Sequence, residues 1–191
     1  MSGAGAGSAA AEEAAAASSP SSPENRTSVV ELHMYDISGG MARSFAPMLG
    51  LPLEAIWHSS VVVRDAGAAH AEEVFFGFGV QRARAGTTPF GAPLRTLRLG
   101  ETELDGETRE ALLADLGARY TPAHYHLTDR NCNHFAHEWA ELLCGEGAPE
   151  AVVHQARDLL RTPLGAMVAP LLRQMEGLTG RATATGFDGG R

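Results

Sequence analysis

The chain has 191 residues and a formal net charge of −8, and its 15 basic residues are all Arg, scattered along the chain without a basic run. That pattern leaves nucleic acid no electrostatic footprint to bind, and the absence of lysine rules out Schiff-base or lysine-nucleophile chemistry. No apolar run reaches the roughly 18 residues a membrane-spanning helix needs, and with neither a basic n-region nor a Leu/Val-rich h-region at the start, no secretory leader is expected.

Residues 1–27 are almost entirely Ala, Gly, Ser, Pro and Glu. They bury too little apolar surface to offset their ordering entropy and read as a disordered tail, as do the Gly- and Thr-rich residues 177–191. Between them lies one domain, 28–176. A domain of about 150 residues buries roughly 68–70% of its unfolded surface, enough for a core without disulfides or metals.

Val29–Asp36 reads as a first strand, ended by Ser38-Gly39-Gly40. Met41–Leu49 follows as a short helix, with Met41, Phe45 and Met48 or Leu49 on one side. Ala55–Val63 is β-branched and continuous, the strongest strand pattern in the chain. Its alternation sends His58 and Ser60 to one face and Trp57, Ser59, Val61 and Val63 to the other. A polar turn over 64–71 leads into Glu72–Val80, a strand completing a hairpin, where Gly77 and Gly79 suggest a bulge or a close backbone approach. Gly86–Pro93 is a turn-rich loop of the kind that rims a site. Leu94–Leu99 alternates Leu with Arg or Thr, as a half-exposed strand does. Asp105–Arg119 is a helix capped by Asp105, with Leu112, Leu113 and Leu116 inward. A helix over Pro149–Leu160 and another from Thr162 to about Met175, kinked at Pro170, complete the chain. Strands first and helices afterwards favour an α+β fold.

The stretch Asp129-Arg130-Asn131-Cys132-Asn133-His134-Phe135 places a cysteine where a loop becomes a helix. Phe135, Trp139, Leu142 and Leu143 mark one buried helical face, and Thr128, Asp129 and Asn131 are all able to cap it. Cys132 then sits in the first turn, where unpaired N–H groups and the helix dipole favour a thiolate. A small buried core residue is the competing reading of the same pattern. If Cys132 and Cys144 share that helix they lie about 18 Å apart along its axis. That exceeds the roughly 7 Å a disulfide allows, so two free thiols are expected, as in a reducing cytoplasm or nucleus. His58, at the start of its strand, is either a core histidine or the base of a thiol hydrolase. In the second case the imidazole holds the thiolate and then protonates the leaving group, and the N–H of Cys132 helps hold an oxyanion. His124, His126, Cys132, His134 and His137 crowd one stretch, but without CxxC or HExxH, and a metal would consume the nucleophile as a ligand, so no metal or cofactor is expected.

Tyr35-Asp36-Ile37-Ser38, Ile56-Trp57-His58-Ser59-Ser60-Val61-Val62-Val63, the Phe-Phe-Gly-Phe-Gly run, the Gly86–Pro93 loop, Asn131-Cys132-Asn133-His134-Phe135 and Thr162-Pro163-Leu164-Gly165 stand in one order. Together they resemble the PPPDE superfamily of permuted papain-fold thiol hydrolases, and most nearly its DeSI-type desumoylating isopeptidases. The resemblance covers Val29 to Leu172. It implies a circularly permuted papain-like fold, an antiparallel sheet with a helical subdomain carrying the cysteine, and a catalytic pair carried onto His58 and Cys132. It implies hydrolysis of the isopeptide bond between a SUMO-like or ubiquitin-like modifier and a target lysine. Two alternatives stay open: an acyl-protein (palmitoyl) thioesterase using the same pair, and a non-catalytic module that binds the modifier. Asn131 and Tyr35 are candidates for orienting the pair, Trp57 and Phe90 for walling the substrate groove, and a homodimer is left open. His134 replaces a small hydroxylic residue of the relatives, and Phe78 interrupts their glycine run.

Overall fold

The structure, a computed structural model, describes residues 27–162 and Gly165. In chain order it has β1 (Ser28–Asp36), α1 (Met41–Phe45) running into a 3-10 turn (Ala46–Leu49), β2 (Trp57–Arg64), β3 (Glu72–Gly77), β4 (Gly79–Arg84) and β5 (Arg95–Thr102). Then come α2 (Gly106–Arg119), a second 3-10 turn (Pro122–His124), α3 (Cys132–Cys144), α4 (Glu150–Val153) and α5 (Gln155–Leu160). The strands form one antiparallel sheet in the order β4-β3-β2-β1-β5, so the mixed architecture of sheet and helices read from the sequence is present.

Alternation on the three middle strands sorts their side chains by face. Val30, Leu32 and Met34 of β1, Trp57, Val61 and Val63 of β2, and Val74 and Phe76 of β3 form one apolar cluster. Against it lies α3, which contributes Phe135, Ala136, Trp139, Ala140 and Leu143, while α2 adds Leu113 and Leu116. Each large apolar side chain fully buried here is worth about 1.5–3 kcal/mol, so this interface holds the helix to the sheet. The opposite face is buried as well but is mixed: Val62 and Phe75 lie there beside His33, Tyr35, His58, Ser60 and Glu73, all at low exposure. The loop after β4 covers part of it, through Thr88 and Phe90.

One irregularity in the sheet positions the site. The β1–β2 ladder continues to Asp36↔Trp57, but β2 and β3 pair only over Val61↔Val74, Val62↔Glu73 and Val63↔Glu72. Residues 57–60 of β2 therefore have no β3 partner, and the start of α3 approaches that open edge.

Three expectations from the sequence need correcting, and a fourth point is settled. Glu72–Val80 is not one strand: Gly77 pairs with Gly79 across Phe78, and Gly79 has φ 94°, so the glycines make a hairpin turn and a further strand, β4, follows. The apolar side of α1, whose direction the sequence left open, faces outward, with Met41 60% and Met48 80% exposed. Leu142 is exposed on α3, and Ala136 and Ala140 take the buried positions beside Phe135 and Trp139. The helix expected over Pro149–Leu160 is two short pieces broken at His154. The tails, and the last helix apart from Gly165, whose N–H donates to Thr162 Oγ1 at 3.0 Å, lie outside the described residues.

Candidate active site

Asn131 is the residue that begins α3. Its extended backbone makes it the N-cap, and its Oδ1 accepts from the N–H groups of Asn133 at 2.9 Å and His134 at 3.2 Å. Its Nδ2 donates to Leu127 O at 2.6 Å, tying the cap to the preceding loop. Cys132 thereby becomes the first helical residue, with its own N–H turned toward its sulfur. The thiol is buried, and burial pushes it up to about 11 despite backbone hydrogen bonds from Ser59, Asn133 and Cys132 that favour the thiolate. In this closed arrangement the thiol is neutral at physiological pH.

Asn133 was not foreseen as a site residue, and it joins three elements. Its Nδ2 donates to Trp57 O and Val152 O, each at 3.1 Å, while its Oδ1 accepts from Ser59 Oγ at 2.7 Å and lies 3.7 Å from Cys132 Sγ. It sets the depth and rotation of the first turn of α3 against β2 and α4. Gln155 locks the entry to β2 in a similar way, accepting from Trp57 N–H and donating to Ala55 O, both at 2.8 Å. The signal for Asn133 was available: it is a polar residue on a helix face that is otherwise apolar. Gln155 carried no such signal.

His58 stands opposite Tyr35 in the β1–β2 ladder, on the polar face of the sheet. Its ring lies among aromatic rings, with centroids 4.0 Å from Phe90, 5.8 Å from Phe75 and 6.2 Å from Tyr35. Nε2 is buried without a hydrogen-bond partner, a penalty of about 1–3 kcal/mol for a polar atom so placed. Burial alone holds the imidazole down to about 3, so it is neutral. No hydrogen bond joins His58 to Cys132. What connects them is Ser59, whose backbone contacts the thiol at the open edge of β2 while its neighbour His58 projects to the other face.

The remaining candidates divide between the two faces. Tyr35 donates from its hydroxyl to Glu73 Oε1 at 2.5 Å, and its ring packs 5.4 Å from Phe90. Asn131 directs its hydrogen bonds to the helix start, the loop and the Nδ1 of His134, 2.9 Å away, and none to His58. Phe90 covers His58, whereas Trp57 lies on the helix-facing side with Arg95 over its ring at 5.8 Å. The structure therefore does not bring Trp57 and Phe90 to one groove. The clustered histidines point apart: His124 lies against Thr121, His126 against Asp129 and His137 against Ala148 O. Among the described residues no three His, Cys, Asp or Glu side chains converge on a metal site.

Residues 28–173 match a family model described as "PPPDE putative peptidase domain". "Desumoylating isopeptidase 1" of Xenopus laevis is 38% identical over 151 residues, 78% of this chain and 86% of that protein. The human protein of the same name is 37% identical over 150 residues, 77% of this chain and 86% of its own. A Caenorhabditis elegans "Desumoylating isopeptidase 1 homolog" is 28% identical over 128 residues, 65% of this chain and 37% of that protein.

Proposed function

The chain belongs to the PPPDE family of cysteine peptidases, and on that premise we propose that it is an isopeptidase removing a SUMO-like modifier from target lysines, with Cys132 as nucleophile and His58 as base and acid. The observation that carries this reading is the position of Cys132: first residue of α3, thiol against the open edge of β2, one residue from His58. The order of the pair, strand-borne His before helix-borne Cys, supports a papain-like fold circularly permuted.

Transfer of the thiol proton to His58 forms the nucleophile. The Cys132 sulfur attacks the carbonyl carbon of the modifier's terminal glycine, and the N–H of Cys132 faces the developing oxyanion. The C–N bond breaks as the His58 imidazolium gives its proton to the lysine amine. A water then surrenders a proton to His58 and attacks the thioester, releasing the modifier carboxylate and restoring the thiol. No metal or cofactor enters these steps. The free thiols Cys132 and Cys144 suit a reducing compartment, so we place the reaction in the cytoplasm or nucleus.

One feature favours a second reading, a palmitoyl thioesterase. A groove of about 500 Å³ beside Trp57 has apolar walls, Leu53, Leu97, Val152 and Leu159 among them, with Glu54, Arg95 and Asp158 also lining it; Cys132 and His58 do not line it, so an acyl chain held there would have to reach the thiol past Trp57. A thiolate leaves without being protonated, so that reaction depends less on His58 as acid. Electrophilic probes built on the C-termini of SUMO and of ubiquitin, run beside a palmitoyl-thioester reporter, separate the readings. Labelling of Cys132 by the SUMO probe, lost in Cys132→Ala, is expected. Preference for the ubiquitin probe changes the modifier, thioester turnover without labelling selects the second reading, and silence in all three arms leaves a non-catalytic binding module.

A further inference from the structure

Glu73 is fully buried in β3, and no cationic side chain pairs with it among the described residues. Three donors hold it instead. The Tyr35 hydroxyl at 2.5 Å and Ser60 Oγ at 2.6 Å donate to Oε1, and the Gly86 N–H donates to Oε2 at 3.2 Å. Each of these groups belongs to a wall around His58 or lies close to one along the chain. Tyr35 is itself a wall, Ser60 follows His58 on the same face of β2, and Glu73 precedes Phe75 on the same face of β3. Gly86 is the root of the loop that lays Phe90 on the imidazole at 4.0 Å. One carboxylate therefore gathers β1, β2, β3 and the covering loop.

The arrangement satisfies Glu73 and leaves the working atom unsatisfied. His58 Nε2 is buried with no hydrogen-bond partner. A base in use has its ring nitrogens engaged with nucleophile, water or leaving group, and buried polar atoms are otherwise nearly always paired. The closed loop is thus a resting arrangement. We propose that Glu73 is a positioning residue of the Cys132–His58 reaction: by gathering Tyr35, Ser60 and Gly86 it latches the 86–93 loop so that Phe90 covers His58, and the loop lifts when substrate enters. This rests on the proposed pairing of Cys132 with His58.

Among the described residues the titratable side chain in ring contact with His58 is Tyr35 of β1; His33 and Glu73 share its face and meet the Tyr35 hydroxyl, Cys132 of α3 meets the adjacent Ser59, and the loop supplies none. Lifting the loop hydrates the imidazole, which then holds the thiolate as an ion pair. Opening should show as a more reactive Cys132 at neutral pH, whatever the modifier is.

Alkylation of Cys132 by iodoacetamide, followed against pH by peptide mass spectrometry of the full chain, tests this. Phe90→Ala and Glu73→Leu should each raise the rate at pH 7 about tenfold and move the profile toward acid by about one unit. Glu73→Gln should stay near wild type, because its amide can donate to both hydroxyl oxygens and accept from Gly86. Tyr35→Phe, which removes one of the three ties, should give a smaller shift of the same sign and decides the matter if Glu73→Leu does not fold. An unchanged profile in a folded Glu73→Leu or Tyr35→Phe protein, with only a lower Tm, overturns the proposal. So does a Gln variant that behaves like Leu. Failure of the pairing itself looks different: His58→Ala would then leave alkylation unaltered in both the wild-type and Phe90→Ala backgrounds.

Discussion

The two faces of the sheet are both buried, but by different means. The helix-facing side is closed by Val, Leu, Trp and Phe against α3, where burial is stabilising and largely insensitive to pH. The loop-facing side closes over His33, Tyr35, His58, Ser60 and Glu73, groups whose desolvation is unfavourable unless each finds a partner. Glu73 finds three and His58 Nε2 finds none. Apolar burial is concentrated on the first face, and the candidate catalytic groups on the second and at the open edge between them. The proposed catalytic groups are therefore supported by the apolar layer without belonging to it.

Breaking the apolar face should have the largest effect. Phe135, fully buried on α3, becomes a cavity in Phe135→Ala, with a loss of about 3–5 kcal/mol in urea unfolding. A loss under about 1 kcal/mol would show that α3 is not anchored by this packing.

The junction between the faces comes next. Asn133→Ala leaves Trp57 O, Val152 O and the Ser59 hydroxyl short of a partner, with an expected loss of about 1–3 kcal/mol. It should also slow alkylation of Cys132, because the first turn of α3 loses its registration on β2. A stability loss with unchanged thiol reactivity would place Asn133 in the scaffold alone.

Proton linkage distinguishes the faces directly. His58 falls from an ordinary 6.5 to about 3 in the folded state. Between those values the unfolded chain takes up a proton that the folded one does not, so stability falls as pH drops from about 6.5. The slope from this one group is at most about 1.4 kcal/mol per pH unit. Cys132, raised from 9.0 to about 11, acts at the other end, with stability lost as pH rises from about 9 toward 11. Urea melts at pH 5 and 7 should show the acid loss in wild type and less of it in His58→Phe; equal losses would mean that His58 is hydrated in solution.

The smallest expected effect is at the cap. Asn131→Ala should lower stability by about 1 kcal/mol. It should also reduce Cys132 reactivity by loosening the turn that presents the thiol, as read by the same alkylation assay. A gain in reactivity would mean that the cap restrains the thiol instead of presenting it.

Much of this was legible residue by residue. The first turn of α3 followed from Asn131 before an apolar period, and its end from Gly145, which takes φ 78°. The faces of β2 followed from alternation, including the separation of His58 from Trp57. β4 was not legible, because Gly77 and Gly79 inside an apolar run suit a bulge as well as a turn, and only pairing distinguishes the two. The exposure of Leu142 was misread, and the direction of the apolar side of α1 stayed open, for a related reason: periodicity shows that a face is apolar, while a neighbour must be present to cover it. Glu73 was overlooked although it shares a face with Phe75, since a charge at an inward position says nothing about its partners until the chain is folded.

By itself the sequence determined the local elements and the reactive groups they carry, because caps, turns and side-chain period act within a few residues. It also carried the family pattern, with the candidate nucleophile at a helix start and the candidate base at a strand start. The tertiary structure decided which groups share an environment, because β2 separates from β3 below Val61 and the 86–93 loop folds over the polar face. Those two long-range arrangements bring Cys132 to Ser59 and hide His58 beneath Phe90, and neither is encoded within any one segment.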